Sequence, residues 1–271
     1  MTTMTTTTTV TRGNTARIRA VGLAELKLFA RNRTAMFSAF AIPLILAGAI
    51  STSGMADSDD LATSVAVVTS LLGYVLLAAV YYNLVTTYVA RREELVLKRL
   101  RAGELSDATI ITGIAAPMVA VAVAQMIVFV VAGAILVGLP APVNVPLMVF
   151  GAVGGVIVFV LLAAVSAVFT RTAESAQVTT LPVLLACLIG SMIYPMMDDA
   201  PGVVVALLRA LPLTPVVDLL RLGWLGTTGE SAPVGFAGTF ADALLPAGIL
   251  IAWIVAGLWA VRRTFLWEPR R

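Results

Sequence analysis

Apolar residues in this chain come in blocks of about twenty or more, long enough for a helix to cross a bilayer, and polar residues are largely confined to the gaps. Six stretches meet that length: 35–54, 61–89, 108–137, 145–170, 178–197 and 242–261. The pattern predicts an all-α polytopic membrane protein with six transmembrane helices. The second, third and fourth runs exceed what a crossing needs, so their ends should project into the interface or tilt. Pro43, Pro117, Pro182 and Pro246 fall near or inside spans. Each lacks a backbone donor and marks a candidate kink, serving either packing or a hinge.

Two pieces of shorter period stand outside the spans. Residues 16–33 place Ile18, Val21, Leu28 and Phe29 on one stripe, with Arg17, Lys27 and Arg31 largely opposite. That arrangement predicts an N-terminal interfacial helix lying on the cytoplasmic leaflet. Ahead of it, residues 1–15 form a Thr-rich tail expected to be disordered, so 16–271 carry the transmembrane domain. The other piece, "APGVVVALLRALPLTPVVDLLRLGWLG" at 200–226, is apolar but broken by Pro212 and Pro215. It predicts two short outer helices before the last span, dipping into the outer leaflet or lying against it. Trp224 suits that interfacial depth.

Composition supports the membrane setting. Hydrophobic residues make up 59% of the chain and charged ones only 12%, with a mean hydropathy of +0.98. Soluble domains carry about 25% charged residues. The net charge of +3 would suit nucleic acid, but the basic residues sit at the ends of apolar runs, so the bilayer is the partner and nucleic acid is not. Sixteen of the 18 Lys and Arg residues fall in four segments: the N-terminus, 90–107, 171–177 and the C-terminal tail. With six spans those segments share one side. The opposite side holds Arg209 and Arg221 with most of the acids. The positive-inside rule then puts both termini in the cytoplasm of a multi-pass protein of the cell membrane. Abundant Ala, Val and Gly, with arginine favoured over lysine, point to a GC-rich bacterial genome. The first apolar run follows six basic residues, so it reads as a retained span and not a secretory signal.

The residues offer little chemistry. There is no histidine and a single cysteine, Cys187, which removes the usual metal ligands and the commonest general base. No GxxxxGK[ST] or GxSxG motif occurs. The chain is therefore expected to be no enzyme by itself and to hold no cofactor. The pairs Asp59–Asp60 and Asp198–Asp199 read as solvated outer-loop residues. At mid-membrane depth only neutral polar groups appear: Tyr81, Tyr82, Asn83, Thr86 and Gln125, then Ser166 and Tyr194. They either bond helix to helix, or Tyr82, Asn83, Thr86 and Gln125 line a substrate path. Gly48, Gly133, Gly151, Gly154 and Gly155 could let helices approach closely. Ion-coupled carriers generally carry carboxylates at the midplane. None is present, so energy must come from elsewhere.

One stretch breaks the greasy pattern. "RREELVLKRLRAGELSDATIITGI", 91–114, packs five basic and four acidic side chains into 91–107. Glu94 and Lys98 are spaced to support a helix, Gly103 can end it, and Ser106 can cap the next span. Glu93, Val96, Leu97 and Leu100 fall on one stripe, while Arg92, Lys98, Arg99 and Arg101 take the other faces. Such a helix is either an interfacial anchor or a docking element.

This segment resembles the one following the second span of ABC-2-type transporter permeases, and the daunorubicin-type drug exporters are similar in length and layout. The basic helix ending in "RNR" and the Pro-broken "LPLTPVVDLLRLGWLG" agree. Leu95-Val96 stands where that pattern has Gly-Thr, and Glu104 where it has proline. The resemblance implies a homodimer, or a pair with a paralogous permease, served by a separate ATPase subunit that binds ATP and Mg. The 91–102 helix would be the cytoplasmic coupling helix. Val96, Leu97 and Leu100 would seat in the ATPase, with Glu93, Arg99 and Arg101 at the rim and Glu25 flanking. The implied function is the permease of an ATP-driven exporter of a drug-like or lipid-like amphipathic molecule. An ion-coupled secondary transporter acting without an ATPase is the alternative, followed by an intramembrane enzyme or scaffold.

Overall fold

The computed structural model describes residues 61–97, 99, 106–136, 138–193, 201–228 and 232–265. The Thr-rich tail, the 16–33 helix with Glu25, the 35–54 span, Lys98, residues 100–105, Tyr194, the Asp198–Asp199 pair and the tail beyond 265 lie outside these. Among the described residues all regular structure is helical. Helix α1 runs without a break as Leu61–Val75, a π-helical stretch Leu76–Tyr82, and Asn83–Glu93. Then follow α2 (Asp107–Leu136), α3 (Val145–Phe169), α4 (Ala176–Ile193), α5 (Gly202–Ala210), α6 (Thr214–Leu225), α7 (Thr239–Asp242) and α8 (Leu244–Thr264).

Four of these, α1, α2, α3 and α8, are long and apolar enough to cross a membrane. The pair α5–α6 is bent by 86°, as in a broken span or a re-entrant loop, and α4 is a shorter apolar helix. The chain is thus an all-α, multi-pass membrane protein.

Local chemistry sets the helix ends. Ser106 Oγ accepts the Thr109 N–H (3.2 Å), so α2 opens with the cap its sequence suggests. Asn144 Oδ1 accepts the Leu147 N–H (3.0 Å) and opens α3, with Pro146 in the first turn where a missing donor costs nothing. Gly226 ends α6 in the left-handed conformation, φ 73°. Pro117 and Pro182 sit inside α2 and α4. Pro246 lies in the first turn of α8, where no intrahelical bond is lost, so it is no kink site.

Helix α3 is the hub, packed on α1, α6 and α8. Its glycines make this possible. A Cβ on Gly151 would stand 2.9 Å from Leu219 Cβ, and one on Gly155 would stand 2.8 Å from Leu76 and 3.0 Å from Val216. On another face, Gly154 receives Leu250 of α8, a Cβ there meeting it at 2.5 Å. Bare backbone on α3 is what lets α6 approach so closely.

The two short helices expected over 200–226 appear as α5 and α6, and they differ in burial. Helix α5 has no buried residue and stays peripheral, but α6 is enclosed by protein along most of its length. Trp224, expected at the lipid interface, is 1% exposed and donates from Nε1 to Pro140 O (2.9 Å). The physical reason is the glycine face of α3. It offers the Val216, Leu219 and Leu220 side of α6 a protein partner, so that apolar surface is buried in the bundle. Backbone bonds from Asn144 N to Gly223 O (2.7 Å) and from Val143 N to Trp224 O (3.2 Å) fasten the end of α6 to the α2–α3 loop.

Candidate functional site

The charged residues gather at one end of the bundle, where α1 and α3 finish, α2 and α4 begin and α8 ends; we call this the basic end. The α1 helix does not stop at 89 but carries Arg91, Arg92 and Glu93 as one further turn. Arg91 pairs with Glu94 at 3.1 Å on the surface. Arg92 does the opposite and is 2% exposed. Its guanidinium donates to Ala167 O (2.9 Å), Thr170 O (2.5 Å) and Arg171 O (3.5 Å). These carbonyls close α3, and a helix's last four carbonyls have no intrahelical donor. A cation there also meets the negative end of the helix dipole.

Glu93 reaches the same loop. Its Oε2 accepts the Ala173 N–H at 3.2 Å. Adjacent residues of α1 thus hold both sides of the 170–175 connection. That connection is stiffened from within, since Ser175 Oγ accepts the Thr172 N–H (3.1 Å) and Thr172 Oγ1 accepts the Ser175 N–H (3.2 Å).

After Glu93 the chain turns. Leu95 takes φ 58°, the one non-glycine residue with positive φ among the described residues. This region strains an L side chain, and it falls at the position where the ABC-2 permease pattern carries glycine. The helix expected from 91 onward is therefore interrupted at 94–95 and resumes at Val96.

The docking candidates separate accordingly. Glu93 and Arg99 are exposed and Val96 is half-buried. Leu97 is 1% exposed and belongs to this chain's own core, so in this conformation it anchors the segment to the bundle. Leu100, Arg101 and Glu25 lie outside the described residues. Sequence reasoning assigned no role to Arg92. A signal was present: Leu84, Val85, Tyr88, Val89 and Arg92 recur at helical spacing, so the arginine continues the buried stripe of α1.

The polar residues at depth sort into two groups. Tyr81 OH and Ser166 Oγ are 3.0 Å apart, joining α1 to α3, and the Tyr81 ring meets Phe159 edge-on. Tyr88 OH donates to Ile111 O (3.0 Å), joining α1 to α2. These are interhelical ties. Tyr82, Asn83 and Thr86 are half-buried; Thr86 Oγ1 donates to Tyr82 O (3.1 Å) and Asn83 Nδ2 to Ala79 O (3.4 Å), bonds internal to α1. Gln125 is buried on α2. These four do not share either of the two large clefts described next.

The first cleft, of 710 Å³, lies at the basic end between α2, α3 and α8, with Asp107, Thr112 and Arg262 among its lining. The second, of 560 Å³, continues between α2 and α3 with an entirely apolar wall. The π-helical stretch of α1 ends with Tyr81 and Tyr82, one from each polar group, and such insertions often accompany functional positions.

An all-α bundle with neutral polar ties at depth, amphipathic clefts and its charge drawn to one end has the make-up of a multi-pass transport protein. The comparisons agree: the chain matches the model of the ABC-2 family transporter proteins over residues 9–262, and it belongs to that family. No curated protein matches it. Membership makes it the membrane component of a transporter.

Proposed function

We propose that the chain is the permease subunit of an ATP-driven exporter that moves a drug-like or lipid-like amphipathic molecule out of a bacterial cytoplasm. A separate ATPase subunit, which binds ATP and Mg, seats at the basic end, and both termini lie in the cytoplasm. Two permeases, identical or paralogous, complete the path. The observation that carries this reading is the clasp of Arg92 and Glu93 on the α3–α4 connection. A force applied at the 96–102 segment passes through Arg92 into α3, the helix on which α1, α6 and α8 pack. Leu97 serves as the segment's internal anchor, which leaves half-buried Val96 and exposed Arg99 as the described surface offered to the ATPase.

The test is co-purification with the ATPase together with ATP-dependent efflux. Arg99→Glu and Leu100→Asp are expected to leave the permease folded in the membrane while removing both. Retained association and efflux in both variants would refute docking at this segment.

A further inference from the structure

We propose that the α2–α3 groove is a resident phospholipid site, which takes a zwitterionic, amine-bearing headgroup at the basic end and an acyl chain along the two clefts. The proposal rests on the membrane setting and stands apart from the exporter reading. Val119, Val156 and Ile157 line both clefts, so the two are continuous. From Asp107 to Val119 the first cleft follows α2 for about 18 Å at the helical rise, and the apolar second cleft takes over from there. The polar groups gather at one end and the remaining wall is hydrocarbon, the profile of a single lipid and not of a buried peptide.

The end groups fit the headgroup. Arg262 lines the mouth, is exposed and forms no ion pair among the described residues. Its neighbour Arg263 is engaged otherwise, stacked 4.6 Å from the ring centroid of Trp259. Trp259 is itself exposed, as aromatic residues at headgroup depth are, which sets this rim at the membrane surface. A guanidinium there receives the phosphate. Asp107 and Thr112 line the same mouth; the Thr112 hydroxyl donates to Ala108 O (2.6 Å) and keeps its lone pairs, so both residues supply oxygens that accept from an ammonium. An anionic glycerol headgroup would meet the Asp107 carboxylate with no cation to offer it. Helix α2 packs chiefly on α1 and only lightly on α3, which keeps the groove open toward lipid.

The test uses the full-length protein in nanodiscs of phosphatidylethanolamine and phosphatidylglycerol. One lipid at a time carries a photoactivatable diazirine at the end of an acyl chain, and labelled residues are mapped by peptide mass spectrometry. The ethanolamine probe is expected to label Met126, Val130 and Val153 in the groove several-fold above Leu181, Leu185 and Ile189, an exposed apolar stripe on α4 that serves as control. Arg262→Gln should lower groove labelling several-fold and leave α4 labelling unchanged, and Ala152→Trp, which fills the groove, should abolish it. Equal labelling of both faces, labelling that survives Arg262→Gln, or a glycerol probe as effective as the ethanolamine one would each overturn the site. None of these readouts involves transport or the ATPase.

Discussion

Replacing Arg92 by methionine keeps an unbranched apolar stem and removes every donor. The two shorter bonds, to Ala167 O at 2.9 Å and Thr170 O at 2.5 Å, are both charge-assisted, and bonds of that kind contribute about 1.5–3 kcal/mol each. The carbonyls left behind lie at the buried end of α3, where water regains only part of the loss. We expect a destabilisation of about 3–5 kcal/mol. At about 2–4 °C per kcal/mol, that lowers the melting point by roughly 10 °C. Arg91→Met is the matched control: it removes a surface pair whose partner Glu94 is largely exposed, a change of less than about 1 kcal/mol. Arg92→Lys should fall between, because an ammonium cannot span two carbonyls as a planar fork does. The assay is thermal unfolding of detergent-solubilised protein followed by size-exclusion chromatography. If Arg92→Met melts within a degree or two of Arg91→Met, the cap on α3 is wrong.

Leu95→Gly should leave stability unchanged or raise it by up to about 1 kcal/mol, since it relieves a left-handed backbone at φ 58°, whereas Leu95→Val should lower it; the same melting assay reads the sign of each. Gly155→Val places carbon where even a Cβ would stand 2.8 Å from Leu76 and 3.0 Å from Val216, so it should cost about 1–3 kcal/mol and loosen α6 from α3. Quenching by brominated lipids in single-tryptophan variants should spare buried Trp224 and strongly affect exposed Trp259; equal quenching would return α6 to the lipid surface. Leu97→Asp should lower membrane yield, because it places a charge in this chain's core, while Arg99→Glu should not.

Much of the fold was legible in one dimension. Runs at 61–89, 108–137, 145–170 and 242–261 reappear as α1, α2, α3 and α8 because a bilayer imposes a minimum apolar length on any helix crossing it. Ser106 was legible as a cap because capping is a relation between residues three apart. The burial of α6 was not legible. Its proline-bounded apolar run reads the same at a lipid surface as inside a bundle, and only the pairing of Leu219 and Val216 with Gly151 and Gly155 decides between them. Arg92 escaped for a similar reason. A basic residue at the end of a span reads as a topology signal until the carbonyls of another helix are placed around it. Leu97 shows the limit of a stripe, since an amphipathic face names what is buried but not whether the cover is this chain or another.

Reconstitution of the permease in proteoliposomes, with and without its ATPase, tests the central claim most directly. The account predicts that a fluorescent amphipathic substrate moves only when the ATPase and Mg-ATP are present together, and that Arg99→Glu abolishes the movement. Transport by the permease alone, driven by a proton or sodium gradient and indifferent to ATP, would contradict it.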